Sequence, residues 1–150
     1  MRKSVLAVLI AAATSTLAYA QDHLAVAPMP GLWKVVTKTT RNDTAMPDKT
    51  ESICYSMADF DDAVGKFGTL FTNQQCNRTH AISGNTLTFG AVCSGPAPQG
   101  TLQVKAEGNY VFTDEKHFTG SIVSTFELPS QPTTKFSVAK SAEYTGPCPQ

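Results

Sequence analysis

Alternation of apolar and polar residues dominates the second half of the chain. Every second position from Leu102 to Phe112, and again from Phe118 to Leu128, is apolar or small, with mostly polar residues between them. A period of two is typical of strands with one buried and one exposed face. Composition predicts further strands over Leu32–Thr40, Lys49–Met57, Cys76–Ser83, Thr86–Cys93 and Thr134–Tyr144.

Three stretches interrupt this pattern. Arg41–Asp48 is a predicted polar turn, Ser94–Gly100 a predicted loop rich in Pro and Gly, and Thr113–His117 a predicted five-residue loop. With that last loop, Tyr110 faces Gly120 across the hairpin, where its ring can cover the bare glycine backbone.

One helix is predicted, and it follows Ser56. Ser56 and Asp59 have the spacing of a capping box, and Asp59, Asp61 and Asp62 crowd the first turn. Apolar residues then recur at helical spacing, at Phe60, Val64, Phe67 and Phe71.

About seven strands and one helix, without crossover helices, predict a mainly β fold. We expect a curved antiparallel sheet or partly open barrel with the helix against it, and a two-sheet β-sandwich is the alternative. Trp33 is expected to anchor the core, whereas an exposed Trp33 would mark a surface for a partner.

The first twenty residues read as a signal peptide. Arg2 and Lys3 precede a short apolar run from Val5 to Ala13, and Ala18-Tyr19-Ala20 supplies small residues for cleavage after Ala20. The run is too short to span a bilayer, and no transmembrane segment is expected downstream. Residues 21–150 are then expected to form one exported domain. Loss of Arg2 and Lys3 leaves 10 basic against 12 acidic residues, so nucleic acid is not an expected partner.

Four cysteines in an exported chain predict two disulfides. A two-residue turn at Gly84-Asn85 places Cys76 opposite Cys93 in a non-hydrogen-bonded pair, where the Cα atoms are close enough to be bridged. We therefore favour Cys76–Cys93 together with Cys54–Cys148. The rival pairing is Cys54–Cys76 with Cys93–Cys148.

The same hairpin register turns His80 toward Phe89. One interpretation makes His80 the polar group of an apolar pocket lined by Phe89, Tyr110 and Phe126; the other makes it a hydrogen-bonded histidine at the core edge. Lys140 falls on the apolar face of its strand, where it either binds an anion or protects a strand edge. No catalytic residues, metal ligands or cofactor are expected, because no nucleophile motif or ligand spacing is present.

The chain also resembles a known family of small periplasmic bacterial proteins, known only as domain of unknown function 3617. The resemblance rests on the opening Pro30-Gly31-Leu32-Trp33-Lys34-Val35, the Gly-Asn hairpin and the layout of the four cysteines. It covers most of residues 30–148. Two features depart from the family, since Met-rich loops are lacking and Ala142-Glu143-Tyr144 replaces a Gly-Arg-Arg-like stretch. The resemblance implies a periplasmic location and an architecture, but no activity.

These patterns favour a non-catalytic module of the cell envelope that binds an apolar small molecule or lipid. The alternative is a protein–protein module, such as a chaperone-like factor or inhibitor, that contacts an envelope protein through a sheet edge or a patch around Trp33. An enzyme is not expected.

Overall fold

A computed structural model describes residues 23–61 and 75–149 of the protein. The signal peptide predicted for residues 1–20 and the predicted helical positions Val64, Phe67 and Phe71 lie outside the described residues. The described elements are β1 (Gly31–Arg41), β2 (Thr44–Ala45), β3 (Lys49–Tyr55), α1 (Met57–Asp61), β4 (Gln75–Ser83), β5 (Thr86–Ala97), β6 (Gly100–Asp114), β7 (His117–Glu127) and β8 (Thr134–Gly146).

All described strands join one antiparallel sheet in the order β2-β1-β8-β7-β6-β5-β4, and β3 pairs with β1 beside the short β2. The sheet does not close, because no described strand pairs with the outer side of β4. The prediction of a mainly β fold built on an open antiparallel sheet is confirmed, and a two-sheet sandwich does not describe it. The structure adds an eighth strand, β2, that was not predicted. It lies within the predicted turn, where Asn42 and Asp43 adopt positive φ angles of 46° and 64° and close a tight hairpin.

The loop predicted over Ser94–Gly100 is wrong. β5 and β6 continue to pair as far as Ala97 and Gly100, so that only Pro98-Gln99 connects them. Pro96 is tolerated because it lies next to the turn-closing pair Ala97–Gly100, in a non-hydrogen-bonded pair, so that its nitrogen points away from β6. On the other side of β5, the pairing with β4 that the structure describes ends at Ser94.

The predicted five-residue loop after β6 is also shorter than expected. β6 extends to Asp114 and β7 begins at His117, with a register shift between Phe112 and Asp114. The register shift leaves one extra residue on β6, so the shorter turn does not change the pairing before it. The predicted pairing of Tyr110 with Gly120 is confirmed.

The described core is largest around Trp33, which is 0% exposed. Its ring lies 5.3–6.5 Å, between centroids, from the rings of Tyr55, Phe60, Phe118 and Tyr144. The indole N–H donates a hydrogen bond of 3.0 Å to the carbonyl of Met29. Trp33 is therefore a core anchor, as expected, and its ring is not part of an exposed surface.

Two local segments hold this end of the sheet. Residues 23–30 cross the ends of the hairpins, where the Ala25 N–H bonds to the carbonyl of Gly84 and the Met29 N–H to that of Glu115. α1 begins after Ser56, whose N–H donates to the carboxylate of Asp59 at 2.7 Å, as the capping spacing predicts. The helix places Phe60 against Trp33.

Both predicted disulfides are present. Cys54 bonds to Cys148, and Cys76 bonds to Cys93 across the β4–β5 hairpin, where the two Cα atoms lie 4.0 Å apart. The favoured pairing is confirmed, and the rival pairing is wrong, because the two-residue turn fixes the register that joins Cys76 and Cys93.

Removal of each disulfide should destabilise the protein to a different degree. The bonds join residues 94 and 17 positions apart, so chain entropy predicts a loss of about 4–5 kcal/mol for the Cys54→Ala/Cys148→Ala variant and about 3 kcal/mol for Cys76→Ala/Cys93→Ala. Urea unfolding of the mature protein measures both. Equal losses, or the reverse order, would show that loop length does not set the contribution.

Gly120 should tolerate a side chain only when Tyr110 is absent. A Cβ atom at Gly120 would lie 2.5 Å from Cε1 of Tyr110, so Gly120→Ala should cost about 1–3 kcal/mol by overpacking. In a Tyr110→Ala background the same change should cost nothing or be slightly stabilising. A double-mutant cycle by chemical denaturation measures this coupling. An equal cost in both backgrounds would contradict the contact.

Candidate functional site

Strict alternation along the central strands defines one buried face of the sheet, which we call the inner face. On β5, residues 87, 89, 91 and 93 are buried and residues 88, 92 and 94 are exposed. The paired residues of β6 and β7 continue this face across the sheet. The inner face holds three hydrophobic clusters, around Trp33, around Phe89 with Ile122, and around Val104 with Cys93.

The structure places all five predicted ligand residues on the inner face. Phe89 and Tyr110 stack with their ring centroids 5.4 Å apart, and His80 lies directly opposite Phe89 on the edge strand. Lys140 faces Gly120, the glycine that Tyr110 covers. These four residues occupy two neighbouring rows across the sheet.

Phe126 lies apart from the other four, two rows farther along β7. Its ring packs edge-on against Phe136, with centroids 5.5 Å apart, and it belongs to the Val104 cluster. The inner face therefore brings the predicted residues onto one surface, although not around a single small pocket.

Burial governs the chemistry of Tyr110. Removal from water raises the pKa of its hydroxyl to about 12, and the neighbouring Tyr55 adds a smaller effect in the same direction. The pKa of Tyr55 is also raised, first by burial and then by the charges of Asp59 and Glu51. Both phenols stay protonated at neutral pH and can donate a hydrogen bond.

His80 and Lys140 differ in their surroundings. His80 is exposed on β4, the last strand of the described sheet, so it lies at an edge of the inner face. Lys140 is half-buried, and its side chain is not without an interaction partner. Neither residue lies at the bottom of a cavity among the described residues.

Ser124 is a polar residue that the sequence reading passed over as part of an apolar face. It is 8% exposed, between Phe136 of β8 and Ala106 of β6. No hydrogen-bond partner for its hydroxyl lies among the described residues. Buried hydroxyls usually have a hydrogen-bond partner, so the Ser124 hydroxyl is an exception among the described residues.

Two arginines of the inner face were also missed. Arg41 pairs with Phe136, and its guanidinium lies 5.9 Å from the centre of that ring. Arg78 lies opposite Ala91 at the other edge. Arg41 lies an even number of residues after Trp33, so the strand period places it on the same face, but the sequence assigned it to a turn. Arg78 lies between Cys76 and His80 at the same spacing, so the period places it on this face as well.

Among the open depressions of the described surface, three adjoin residues discussed above or the β6–β7 turn. The largest of these three, about 650 Å³, lies between residues 25–27 and the β6–β7 turn at residues 113–117. A second, about 310 Å³, lies over Gly90 and reaches His80 and Phe89 from the outer side of the sheet, opposite to their side chains. A third, about 270 Å³, includes Lys34, Glu143 and His117. Each is shallow and open to solvent.

The turn that lines the largest depression contains an Asp–His pair. Nδ1 of His117 lies 2.9 Å from the carboxylate of Asp114, which also accepts a bond from the Lys116 N–H. The backbone hydrogen bond, and secondarily His117, lower the pKa of Asp114. Both side chains are about half exposed. An Asp that bonds its own turn in this way is typical of β-turns, so the pair is explained as structure.

Residues 23–61 and 75–149 contain neither a metal-ligand cluster nor a helix that could span a bilayer. No three His, Cys, Asp or Glu residues of these ranges are grouped so as to hold a metal ion. No helix in the same ranges is long and apolar enough to cross a bilayer.

Comparison with known proteins yields one match. The model of the family described as "Protein of unknown function (DUF3617)" matches residues 28–148. The chain belongs to this family. The resemblance seen in the Pro-Gly-Leu-Trp opening and the four cysteines is thereby confirmed. No curated protein and no solved structure matches the chain. Membership of DUF3617 brings no activity with it, so the inner face has to be interpreted from its own chemistry.

Tyr110 should make the stability of the protein fall at high pH. In the unfolded chain its hydroxyl ionises near pH 10, whereas in the folded protein it ionises near pH 12. Between these values the unfolded state binds fewer protons, so the free energy of unfolding decreases as the pH rises, and below pH 10 it does not change on this account. Urea unfolding from pH 9 to 12 measures the decrease.

The Tyr110→Phe variant is the control for that titration. Without the hydroxyl, the decrease above pH 10 should become shallower, and the tyrosine absorbance titration should lose its latest component. Parallel pH profiles for the variant and the parent protein would contradict the assignment.

Proposed function

We propose that this protein is an exported, periplasmic and non-catalytic binding module whose inner face takes up an apolar small molecule or lipid. The observation that carries the proposal is the arrangement of the Phe89 and Val104 clusters on one face of an open sheet. The hydrophobic side chains packed on these two clusters all come from the strands themselves, as far as the described residues go.

The two halves of the inner face differ in what covers them. At the Trp33 end, α1 contributes Phe60, and residues 23–30 contribute Leu24 and Val26. Toward Phe126, the hydrophobic side chains that the structure describes on the face all come from the strands. Leu102 and Phe126 are only partly buried, and a ligand that covers them would be stabilised by about 25 cal/mol per Å² of apolar surface removed from water. A ligand with a chain or ring system is suited to this part of the sheet.

Polar groups on the inner face would orient such a ligand. The Ser124 hydroxyl lies in the middle of the face and can pair with a polar atom of the bound molecule. Arg41 lies beside Phe136 at the rim, where a carboxylate or phosphate of an amphiphile could meet its charge. A few polar groups on a mainly apolar surface are typical of small-molecule sites.

Export and the lack of catalysis are supported by separate observations. The signal-like leader and the two disulfides are typical of proteins that leave the cytoplasm. Among the described residues, no Ser or Thr hydroxyl is hydrogen-bonded to a histidine, and His117 bonds only to the Asp114 side chain of its own turn. A nucleophile activated by a base therefore has no support in these ranges.

Native mass spectrometry of the mature protein, purified from the compartment to which it is exported, tests the proposal. We expect a non-covalently bound species, and we expect cis-parinaric acid, a fluorescent fatty acid, to compete with it. Ser124→Phe should abolish both signals by filling the centre of the inner face. Ser121→Phe is the matched control, because it makes the same change on the same strand but on the exposed outer face.

A milder variant covers the case in which Ser124→Phe does not fold. Ser124→Ala removes only the hydroxyl, so it should weaken cis-parinaric acid binding several-fold while the unfolding midpoint in urea stays unchanged or rises. Protein that carries no bound species and binds no cis-parinaric acid would contradict the proposal. In that case the inner face is the interior of the protein and takes no ligand.

A further inference from the structure

The β4 strand forms the free edge of the described sheet, on the side farthest from β1. β4 pairs with β5 through the two-residue turn, and in such a hairpin the residue pairs alternate between hydrogen-bonded and non-hydrogen-bonded. Counting from the hydrogen-bonded pair Ser83–Thr86, the non-hydrogen-bonded residues of β4 are Cys76, Arg78, His80 and Ile82. Their N–H and C=O groups point away from β5, toward the edge.

These four residues make a regular, accessible template for another strand. Residues 77–81 of β4 are all exposed. No described strand pairs with the outward side of β4. Unpaired edge strands readily accept an additional extended chain, because its backbone completes the hydrogen-bond ladder.

The two strands at this edge carry a cation and no carboxylate. β4 contains Arg78 and His80, and neither β4 nor its neighbour β5 contains an Asp or Glu. An incoming strand that pairs with the outward residues would place its side chains directly opposite Arg78 and His80 on the inner-face side. Carboxylates at those two positions would form favourable cross-strand pairs, whereas cations would be repelled.

A second copy of the chain fits this edge poorly. The most complete two-fold pairing of β4 with itself puts Arg78 opposite His80 of the other copy, twice, and brings no carboxylate to either. Positive charge on an edge strand is a common protection against self-association. The same charge that opposes a second copy favours a chain of opposite sign.

We propose that β4 binds an extended acidic segment of another protein by strand addition, with carboxylates opposite Arg78 and His80 and an apolar residue opposite the half-buried Ile82. This edge site is distinct from the central part of the inner face. It does not depend on whether that face binds a small molecule.

A synthetic peptide tests the site directly. The probe is acetyl-Val-Thr-Glu-Thr-Glu-Thr-Val-amide, which pairs antiparallel to β4 with its glutamates opposite His80 and Arg78. Amide hydrogen exchange of the mature protein is followed by NMR with and without the peptide. We expect the amides of Cys76, Arg78, His80 and Ile82 to exchange at least tenfold more slowly with the peptide, while those of Asn77, Thr79 and Ala81 are protected in both states.

Charge reversal provides the matched controls. A peptide with lysine in place of both glutamates should give no protection, and Arg78→Glu should reverse the preference between the two peptides. Lys105→Glu makes the same change on the exposed outer side of β6 and should leave binding unaltered. His80→Pro removes an outward N–H without breaking a bond to β5, so the variant should fold and lose the peptide.

Three results would overturn the proposal. Protection of the four outward amides in the free protein at low concentration would mean that the edge is already covered by the chain itself. Protection that rises with protein concentration, together with a dimer in analytical ultracentrifugation, would assign the edge to a second copy. Equal binding of the acidic and basic peptides would remove the role of Arg78.

Discussion

Strand register is the constraint on which the structure depends. Because side chains alternate between the two faces of a sheet, a slip of one residue would move a whole strand's apolar set from the inner face to solvent. Several contacts fix the register independently. The Cys76–Cys93 bond fixes β4 against β5. The Tyr110 ring lies on Gly120, and the Phe89 ring lies close to Gly108. In each case the ring occupies the space that a side chain at the glycine would need, so a shifted register would bring the ring against a larger residue.

Local chemistry allowed part of this register to be predicted from sequence. The Gly84-Asn85 turn predicted the facing of Cys76 and Cys93, and the alternation of β6 and β7 predicted the facing of Tyr110 and Gly120. The Ser94–Gly100 loop was predicted wrongly because Pro96 was counted as a strand breaker, although its nitrogen points away from β6 and breaks no bond to that strand. The order of strands could not be predicted, since the placement of β8 between β1 and β7 rests on long-range packing around Trp33.

The same limits explain what was missed in the candidate site. His80, Phe89 and Tyr110 were placed on one face correctly, because hairpin register is a local property. That His80 lies at an open edge follows only from the strand order, which leaves β4 last. The exposed, positively charged β4 and the buried Ser124 therefore became visible only in the folded protein. The two proposals, a small molecule on the inner face and an acidic chain at the β4 edge, rest on these features.

Cross-strand NOEs in the mature protein test the register most directly. In non-hydrogen-bonded antiparallel pairs the Cα atoms come closest, so strong Hα–Hα NOEs are expected for Cys76 with Cys93, Arg78 with Ala91, His80 with Phe89 and Ile82 with Leu87. A set displaced by one residue on either strand would contradict the register. It would also move the side chains of the displaced strand, His80 on β4 or Phe89 on β5, off the inner face and remove the basis of the proposal that depends on that strand.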